Sequence, residues 1–254
     1  MKEVVVLSVL QGIAEFLPIS SSGHLVLGRS LLGLGEVGMR LDIALHVGTL
    51  VSIFVFYFAV IRRILCQREW SYVLKIILSA VPAAVVGLLF KDQLEELFAS
   101  PKMVGVALLF TGVVLTVTRF LPRGEKDVSF LRALGMGLAQ AVAILPGVSR
   151  SGMTIAAARI AKVEAAASAE FSFLMSAPPI MGAALLEVLN SLKAAEPSSA
   201  AGEISWTWCA IGAALSAIVG YFALKVLLKS LKSDKFWLFG PYCFLAGLLT
   251  LFLV

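Results

Sequence analysis

Charged side chains are scarce in this chain. Of its 254 residues, 15% are charged and 59% are hydrophobic, whereas a soluble domain is about a quarter charged and about half apolar. The scarcity excludes an ordinary soluble domain and indicates a protein that crosses a membrane several times. The net charge of +5 comes from short basic clusters between apolar runs, which is typical of cytoplasmic loops and not of a nucleic-acid-binding surface.

Cysteine is also rare, and the three cysteines are odd in number and far apart in the sequence: Cys66, Cys209 and Cys243. Their spacing supports neither a disulfide framework nor a zinc site, so we interpret each as a small apolar residue. The sequence contains no P-loop, HExxH, CxxC or glycine-rich dinucleotide motif. Its functional residues must therefore be sought inside the apolar segments.

The apolar runs predict an all-α polytopic membrane protein with a single membrane domain over residues 1–254. A bilayer-spanning helix needs about 20 apolar residues, and six segments meet that length: 41–61, 72–90, 103–121, 168–189, 206–227 and 236–254. Two other stretches, 4–34 and 131–161, each contain two short apolar pieces separated by a proline and a Ser/Gly turn. We predict that both are re-entrant, broken-helix hairpins.

The charges of the loops predict the orientation. Loops 62–71, 119–132 and 225–235 are net basic, and loops 91–102 and 187–205 are net acidic. The basic loops belong on the cytoplasmic side by the positive-inside rule. Both termini are then outside, the first hairpin enters from the outside, and the second enters from the inside.

The two hairpins share one pattern when they are aligned 129 positions apart. The matching pairs are Gln11 with Gln140, Ser20 with Ser149, Ser22 with Ser151 and Gly23 with Gly152. Because the copies have opposite predicted orientations, we predict an inverted-topology repeat with halves of about 1–127 and 128–254. Such repeats place a binding site where their broken helices meet near the midplane. Ser21 and Arg150 occupy the same central position in the two copies, so we expect them to approach each other.

Glu15 is the first candidate, because an ionisable group inside an apolar segment is costly, roughly 2.5–3.5 kcal/mol for Arg, Lys or Asp at a helix centre. It follows Gln11 by one helical turn, so both side chains face the same side. Glu15 could be a metal ligand or a general acid or base beside an anion. It could instead be a structural carboxylate paired with Arg29 or Arg150. No role is assigned to Asp42, Arg159 and Glu170.

Three serines and a histidine follow at the first turn. Ser20, Ser21 and Ser22 offer hydroxyls and backbone amides just before a helix N-terminus, where anions bind. One serine could also serve only as the helix N-cap. His24 could exchange a proton with a serine or with a leaving phosphate, or it could be structural. We interpret His46, which has no such motif around it, as structural.

The second turn complements the first. Arg150 supplies a planar guanidinium suited to phosphate oxygens, and Ser149, Ser151 and Thr154 add hydroxyl donors after the glycine at Gly147. Arg150 could also neutralise the carboxylate of the first hairpin, and both roles are compatible. The pattern predicts a site for a diphosphate.

These two segments resemble the signatures of the bacterial undecaprenyl pyrophosphate phosphatase family, also called the bacitracin-resistance protein family. Residues 11–24 are similar to its (E/Q)xxxE signature with the following serines and histidine, and residues 146–154 are similar to its PGxSRSxxT signature. Weaker likeness extends over 41–49, 80–90, 170–182 and 225–235. The resemblance therefore covers nearly the whole chain.

The resemblance implies an enzyme of the bacterial plasma (inner) membrane that hydrolyses undecaprenyl diphosphate to the monophosphate and phosphate. This recycles the lipid carrier of cell-wall synthesis and gives bacitracin resistance. It implies a divalent cation, Mg²⁺ or Ca²⁺, and an active site that opens to the periplasm or exterior. The expected partners are the polyprenyl diphosphate lipid and the membrane, without nucleic acid, and a homodimer is left open.

Site roles carried over from the family fall on the two motifs. Glu15 becomes the catalytic acidic residue and metal ligand, Ser21 the nucleophile, His24 the proton donor or acceptor, and Arg150 the phosphate anchor. The expected substrate contacts are Gln11, Ser20, Ser22, Gly147, Ser149, Ser151 and Thr154. Some members have Glu where this chain has Gln11, and a neutral amide binds a hard cation more weakly than a carboxylate. Coordination by two carboxylates of this motif is therefore not available here.

Two alternatives concern the chemistry and the function. Water could attack the diphosphate directly while Ser21 only binds it. The chain could also transport polyprenyl phosphate, as an alternative or an additional role, because inverted repeats and broken helices are features of transporters. A purely structural membrane component is disfavoured by the ionisable residues inside apolar segments.

Overall fold

The computed structural model describes residues 1–31, 39–90, 93, 94, 97, 100–193 and 204–253. Within these residues the chain is helical, and the only strand-like pairings are two isolated bridges, Gly124 with Glu164 and Lys126 with Val163. The predicted all-α class is confirmed for this part of the chain.

The helices fall into two sets of similar order. The first set is α1 (Lys2–Phe16), α2 (Ser21–Leu31), α3 (Met39–Phe56), α4 (Phe58–Cys66), α5 (Trp70–Leu89) and α6 (Pro101–Val117). The second set is α7 (Phe130–Val142), α8 (Arg150–Ile160), α9 (Ala165–Lys193), α10 (Trp206–Lys232) and α11 (Phe239–Leu253). Short 3-10 turns occupy Thr118–Phe120 and Phe236–Leu238.

Three segments among the described residues are each long and apolar enough to cross a membrane: Trp70–Leu89, Pro101–Phe120 and Trp206–Lys232. They coincide with the predicted spans 72–90, 103–121 and 206–227. Their lipid-compatible surface and the further apolar helices make the chain a multi-pass helical membrane protein.

The other predicted spans are less regular. Residues 41–61 lie on α3 and α4, which pass the same length and composition test only as a pair bent by 67°. Residues 168–189 lie on α9, which contains Pro178 and Pro179, and 236–254 matches a shorter apolar helix, Phe236–Phe252. The arrangement of six spans stays a prediction.

The predicted orientation also stays a prediction. It depends on acidic loops whose carboxylates lie outside the described residues: Asp92, Glu95, Glu96, Glu196 and Glu203.

Both predicted breaks are present and are built alike. The first separates α1 from α2 and the second separates α7 from α8. Ser20 Oγ accepts a hydrogen bond from the amide of Gly23 at 3.3 Å, and its aligned partner Ser149 accepts one from Gly152 at 3.1 Å. Each serine therefore caps the second helix of its hairpin.

The two breaks also touch. A Cβ built on Gly23 would lie 3.2 Å from the Cα of Gly147. Gly147 has φ of +92° and packs against α6, where a Cβ would lie 2.6 Å from the carbonyl oxygen of Val104. Thr111 on α6 donates to the Gly147 carbonyl at 3.2 Å and accepts from the Ser149 amide at 3.2 Å. The packing thus requires glycine here and fixes the second turn against the first.

Candidate active site

A cavity of about 390 Å³ lies where the two breaks meet. Its polar lining comes from both hairpins and from α3: Glu15, Ser20, Ser21, Ser22, Asp42, His46, Ser149 and Arg150. Its apolar lining comes from the hairpins, α3 and α9: Ala14, Ile43, Ala143, Ile144, Val148, Pro179, Ile180 and Ala184. The cavity therefore offers charged groups beside an apolar wall, as an amphipathic ligand requires.

Glu15 is the centre of the polar contacts. The residue is 5% exposed. Its Oε2 accepts hydrogen bonds from Ser21 Oγ at 2.7 Å and from Gln11 Nε2 at 3.0 Å, and its Oε1 accepts from Arg150 Nη2. A buried carboxylate needs such partners to stay ionised.

Arg150 is the first residue of α8 and reaches across to the first hairpin. Besides its ion pair with Glu15, its Nη1 lies 3.5 Å from the carbonyl oxygen of Ser176 on α9. Ser21 and Arg150 consequently contact the same carboxylate from opposite hairpins. These contacts agree with both roles considered for Arg150, neutralising Glu15 and binding a phosphate, because the guanidinium pairs with Glu15 and also lines the cavity.

The hydroxyls at the two turns form matching pairs. Ser20 Oγ lies 3.4 Å from Ser22 Oγ, and Ser149 Oγ lies 3.4 Å from Ser151 Oγ. The deeper Thr154 bonds Ser172 on α9 at 2.6 Å and the carbonyl of Arg150 at 2.8 Å. Five of the predicted site residues are not among those that line the cavity: Gln11, His24, Gly147, Ser151 and Thr154.

His24 contacts the back of the first turn. Its Nδ1 lies 2.8 Å from the carbonyl oxygen of Ser20, so this nitrogen carries the hydrogen. Its Nε2 then accepts from the Tyr242 hydroxyl at 2.7 Å, and the two rings stack with centroids 5.6 Å apart. Ser20 has a left-handed φ of +71°. The hydrogen bond from His24 to the Ser20 carbonyl oxygen therefore stabilises this turn.

Two residues that line the cavity were missed as site residues by the sequence reasoning. His46 Nδ1 donates to the carbonyl oxygen of Asp42 at 2.8 Å, which directs Nε2 to within 3.8 Å of Glu15 Oε2. The Asp42 carboxylate forms an ion pair with Arg29. The signal in the sequence was the spacing of Asp42 and His46 by one turn on an apolar helix.

Comparison with known proteins identifies the family of the chain. A family model described as "Bacitracin resistance protein BacA" matches residues 4–249. The chain belongs to the BacA family. The predicted resemblance is therefore confirmed.

Three relatives from different organisms have the same name. A protein of Rhodopirellula baltica named undecaprenyl-diphosphatase is 42% identical, over 98% of this chain and 96% of its own length. Proteins with the same name from Halothermothrix orenii and Thermotoga petrophila are each 38% identical, over 99% and 96% of this chain and 97% of their own lengths.

A divalent cation in the cavity would need oxygen ligands from the side chains around it. Glu15 and Asp42 are the carboxylates that line it. Gln11 Oε1 is buried and has no hydrogen-bond partner within the described part of the chain. Among the described residues, no group of three or more His, Cys, Asp and Glu side chains could hold a metal ion. Mg²⁺ often uses one or two carboxylates together with substrate phosphates, and Glu15 and Asp42 are two such carboxylates.

Proposed function

We propose that the chain is an integral membrane phosphatase that hydrolyses undecaprenyl diphosphate to undecaprenyl monophosphate and phosphate. The observation that carries this proposal is the single cavity in which Glu15 contacts both Ser21 and Arg150. The relatives' shared name, undecaprenyl-diphosphatase, supports the substrate. The activity would recycle the lipid carrier of cell-wall synthesis and give resistance to bacitracin.

The diphosphate binds with its phosphates among the polar residues and its prenyl chain along the apolar wall. Arg150 moves from Glu15 to the phosphate oxygens, where its fork-shaped donor set matches two acceptors. Ser20, Ser22 and Ser149 add hydroxyls, and they lie where helices α2 and α8 direct amides toward an anion. The preorganised positive charge stabilises the charge that develops during phosphoryl transfer.

Ser21 is the nucleophile in the first version of the mechanism. Its hydroxyl already donates to Glu15 Oε2, so Glu15 accepts the proton as Ser21 Oγ attacks the terminal phosphorus. The bond to the bridging oxygen breaks and the lipid monophosphate leaves. Water then hydrolyses the phosphoserine and releases phosphate. In the second version water attacks directly, Glu15 accepts its proton, and Ser21 only binds.

Each of the two histidines has a proposed role in this mechanism that mutation can test. His24 stays a predicted proton donor or acceptor, although its contacts favour support of the Ser20 turn. His46 has its Nε2 beside Glu15, which supports a direct contact with substrate or water. A divalent cation, Mg²⁺ or Ca²⁺, is part of the proposal, with Glu15 and Asp42 as its protein ligands. When bound, it would neutralise phosphate charge.

The inverted repeat and the orientation belong to the proposal as well. Helix α1 packs on α10, and α7 packs on α5. The alignment of the two hairpins superposes α1 on α7 and α5 on α10, so the two pairs correspond to each other. Helix α6 packs on α11. These pairings support two related halves. The proposal also places the chain in the plasma membrane, with both termini outside and the active site open to the periplasm. It includes a homodimer, which light scattering of the purified protein would detect.

The experiment is a phosphate-release assay on C55 diphosphate with purified protein in detergent. Arg150→Ala should lower kcat by roughly a hundredfold to a thousandfold, the usual loss for one transition-state donor. Glu15→Ala should lower kcat by at least about a hundredfold, because it removes the general base. Lys102→Ala, on the exposed start of α6, is the control and should keep wild-type activity. Activity near wild type in both site variants would overturn the proposal.

The transport alternative has no support in the names of the relatives, which specify only the diphosphatase. Detergent provides no second leaflet, so phosphate release there measures hydrolysis alone. Trapping a phosphoserine at Ser21 would select the covalent version, and undiminished turnover of Ser21→Ala would eliminate it.

A further inference from the structure

A second groove lies at the C-terminal end of α10 and shares no residue with the catalytic cavity. Its volume is about 500 Å³, and it is lined by Phe56, Lys225, Leu228, Lys229, Lys232 and Ser233. We call it the lysine groove. Phe56 is the last residue of α3 before the chain bends by 67° into α4.

The lysine groove has charge of one sign. Lys225, Lys229 and Lys232 are spaced by four and three positions, so their side chains share one face of α10. No carboxylate of the described residues forms an ion pair with any of these three ammonium groups. The groove therefore presents a positive charge of about three that no carboxylate of the described residues pairs within 4 Å.

Lys225 is the lysine of the groove nearest the middle of α10. Helix α10 has 27 residues, and a helix of that length covers about 40 Å, close to the full thickness of a bilayer with its headgroups. Lys225 is roughly 9 Å from the middle of this helix. Its ammonium lies 4.6 Å from the ring centroid of Tyr221 and 5.6 Å from that of Phe222. The rings attract the cation but do not neutralise it.

We propose that the lysine groove binds one anionic phospholipid. The lipid phosphate contacts the three lysines, and an acyl chain lies along Phe56 and Leu228. Charge complementarity selects an anion, and basic pockets between membrane helices at a headgroup level bind such lipids. The apolar floor formed by Phe56 and Leu228 selects a lipid over an acidic protein segment, because the acyl chain of a lipid can cover it.

The test is native mass spectrometry of the full-length, delipidated protein in detergent, titrated with phosphatidylglycerol or with phosphatidylcholine of the same chains. The wild type should retain one phosphatidylglycerol in preference to phosphatidylcholine. The variant K225Q/K229Q/K232Q should bind phosphatidylglycerol more than about tenfold more weakly. Equal retention of the two lipids by the wild type, or unchanged binding by the variant, would overturn the proposal.

Controls separate this site from general charge and from folding. K2Q/K102Q/K162Q removes the same charge from exposed positions outside the groove and should bind phosphatidylglycerol like the wild type. Leu228→Trp keeps every charge but obstructs the apolar floor, so it should also weaken binding. Loss of binding in the control triple variant would contradict a specific groove.

Phosphate release by K225Q/K229Q/K232Q in detergent measures correct folding, and it should stay at the wild-type level. Inorganic phosphate and an acidic peptide serve as competitors that test other ligands for the groove. Displacement of the lipid by inorganic phosphate or by an acidic peptide at equal concentration would show that a lipid is not the ligand. Retention of the lipid in their presence supports the proposal.

Discussion

At the scale of single residues, the site depends on a few side chains whose direction only the structure shows. Glu15 accepts from three donors on two hairpins, and the two histidines differ in where their second nitrogen points. His24 Nε2 is occupied by Tyr242, whereas His46 Nε2 lies beside Glu15 in the cavity. The chain's two histidines therefore have different surroundings.

This difference predicts how the histidine variants behave. His46→Ala should lower kcat for C55 diphosphate by about a hundredfold if it transfers a proton, since such groups typically contribute that much or more. His24→Gln retains a side-chain donor for the Ser20 carbonyl, so its kcat should decrease less than that of His46→Ala. A larger loss in His24→Gln than in His46→Ala would return the proton-transfer role to His24.

Gly147 predicts a stability effect with a matched control. Gly147→Ala would place a methyl group 2.6 Å from the Val104 carbonyl oxygen at a φ of +92°, and strain of this kind costs about 1–3 kcal/mol. Gly135 lies inside α7, where an added methyl group would meet nothing within 4 Å, so Gly135→Ala should maintain or raise stability by up to about 1 kcal/mol. Thermal unfolding in detergent measures both, and equal melting temperatures for the two variants would contradict the tight contact.

At the scale of elements, the helix–break–helix hairpin is the unit that builds the site. Its first helix stops at the break, and a serine at the aligned position caps the second helix in each copy. The cap leaves the first amides of α2 and α8 close to the cavity. Local sequence therefore positions both turns beside the cavity.

The caps predict a separation of stability from activity. Ser149→Ala removes the cap of α8 and also a hydroxyl of the cavity. Ser129→Ala removes the cap of α7, outside the cavity. Each should lower the free energy of unfolding by about 1 kcal/mol, but only Ser149→Ala should reduce phosphate release. Reduced activity in both variants would show that the loss comes from stability alone.

The elements also show what could be predicted from the sequence. The breaks, the capping serines and three apolar spans follow from local composition, and each is present. The 67° bend at Tyr57 and the contribution of α3 to the cavity could not be predicted, because they depend on how α3 packs against α1 and α10. His46 and Asp42 were missed for that reason, since their spacing by one turn on α3 does not show which elements that face packs against.

At the scale of the whole molecule, the two hairpins provide opposite charges to one cavity. The first hairpin places Glu15 one turn after Gln11. In the second hairpin the aligned positions hold Gln140 and Ile144, so the carboxylate is replaced by part of the apolar wall. Both amide atoms of Gln140 are buried without a hydrogen-bond partner among the described residues. Arg150 is the charged residue that the second hairpin contributes to the cavity lining, and its ion pair with Glu15 joins the two hairpins.

The central claim is that the two hairpins act on one diphosphate as a unit, and a double-mutant cycle on kcat/KM for C55 diphosphate tests it most directly. Residues that act on the same transition state are strongly non-additive. We expect the variant that combines Ser21→Ala with Arg150→Ala to be about as slow as the slower single variant. Losses that multiply, as they would for two independent sites, would contradict the claim.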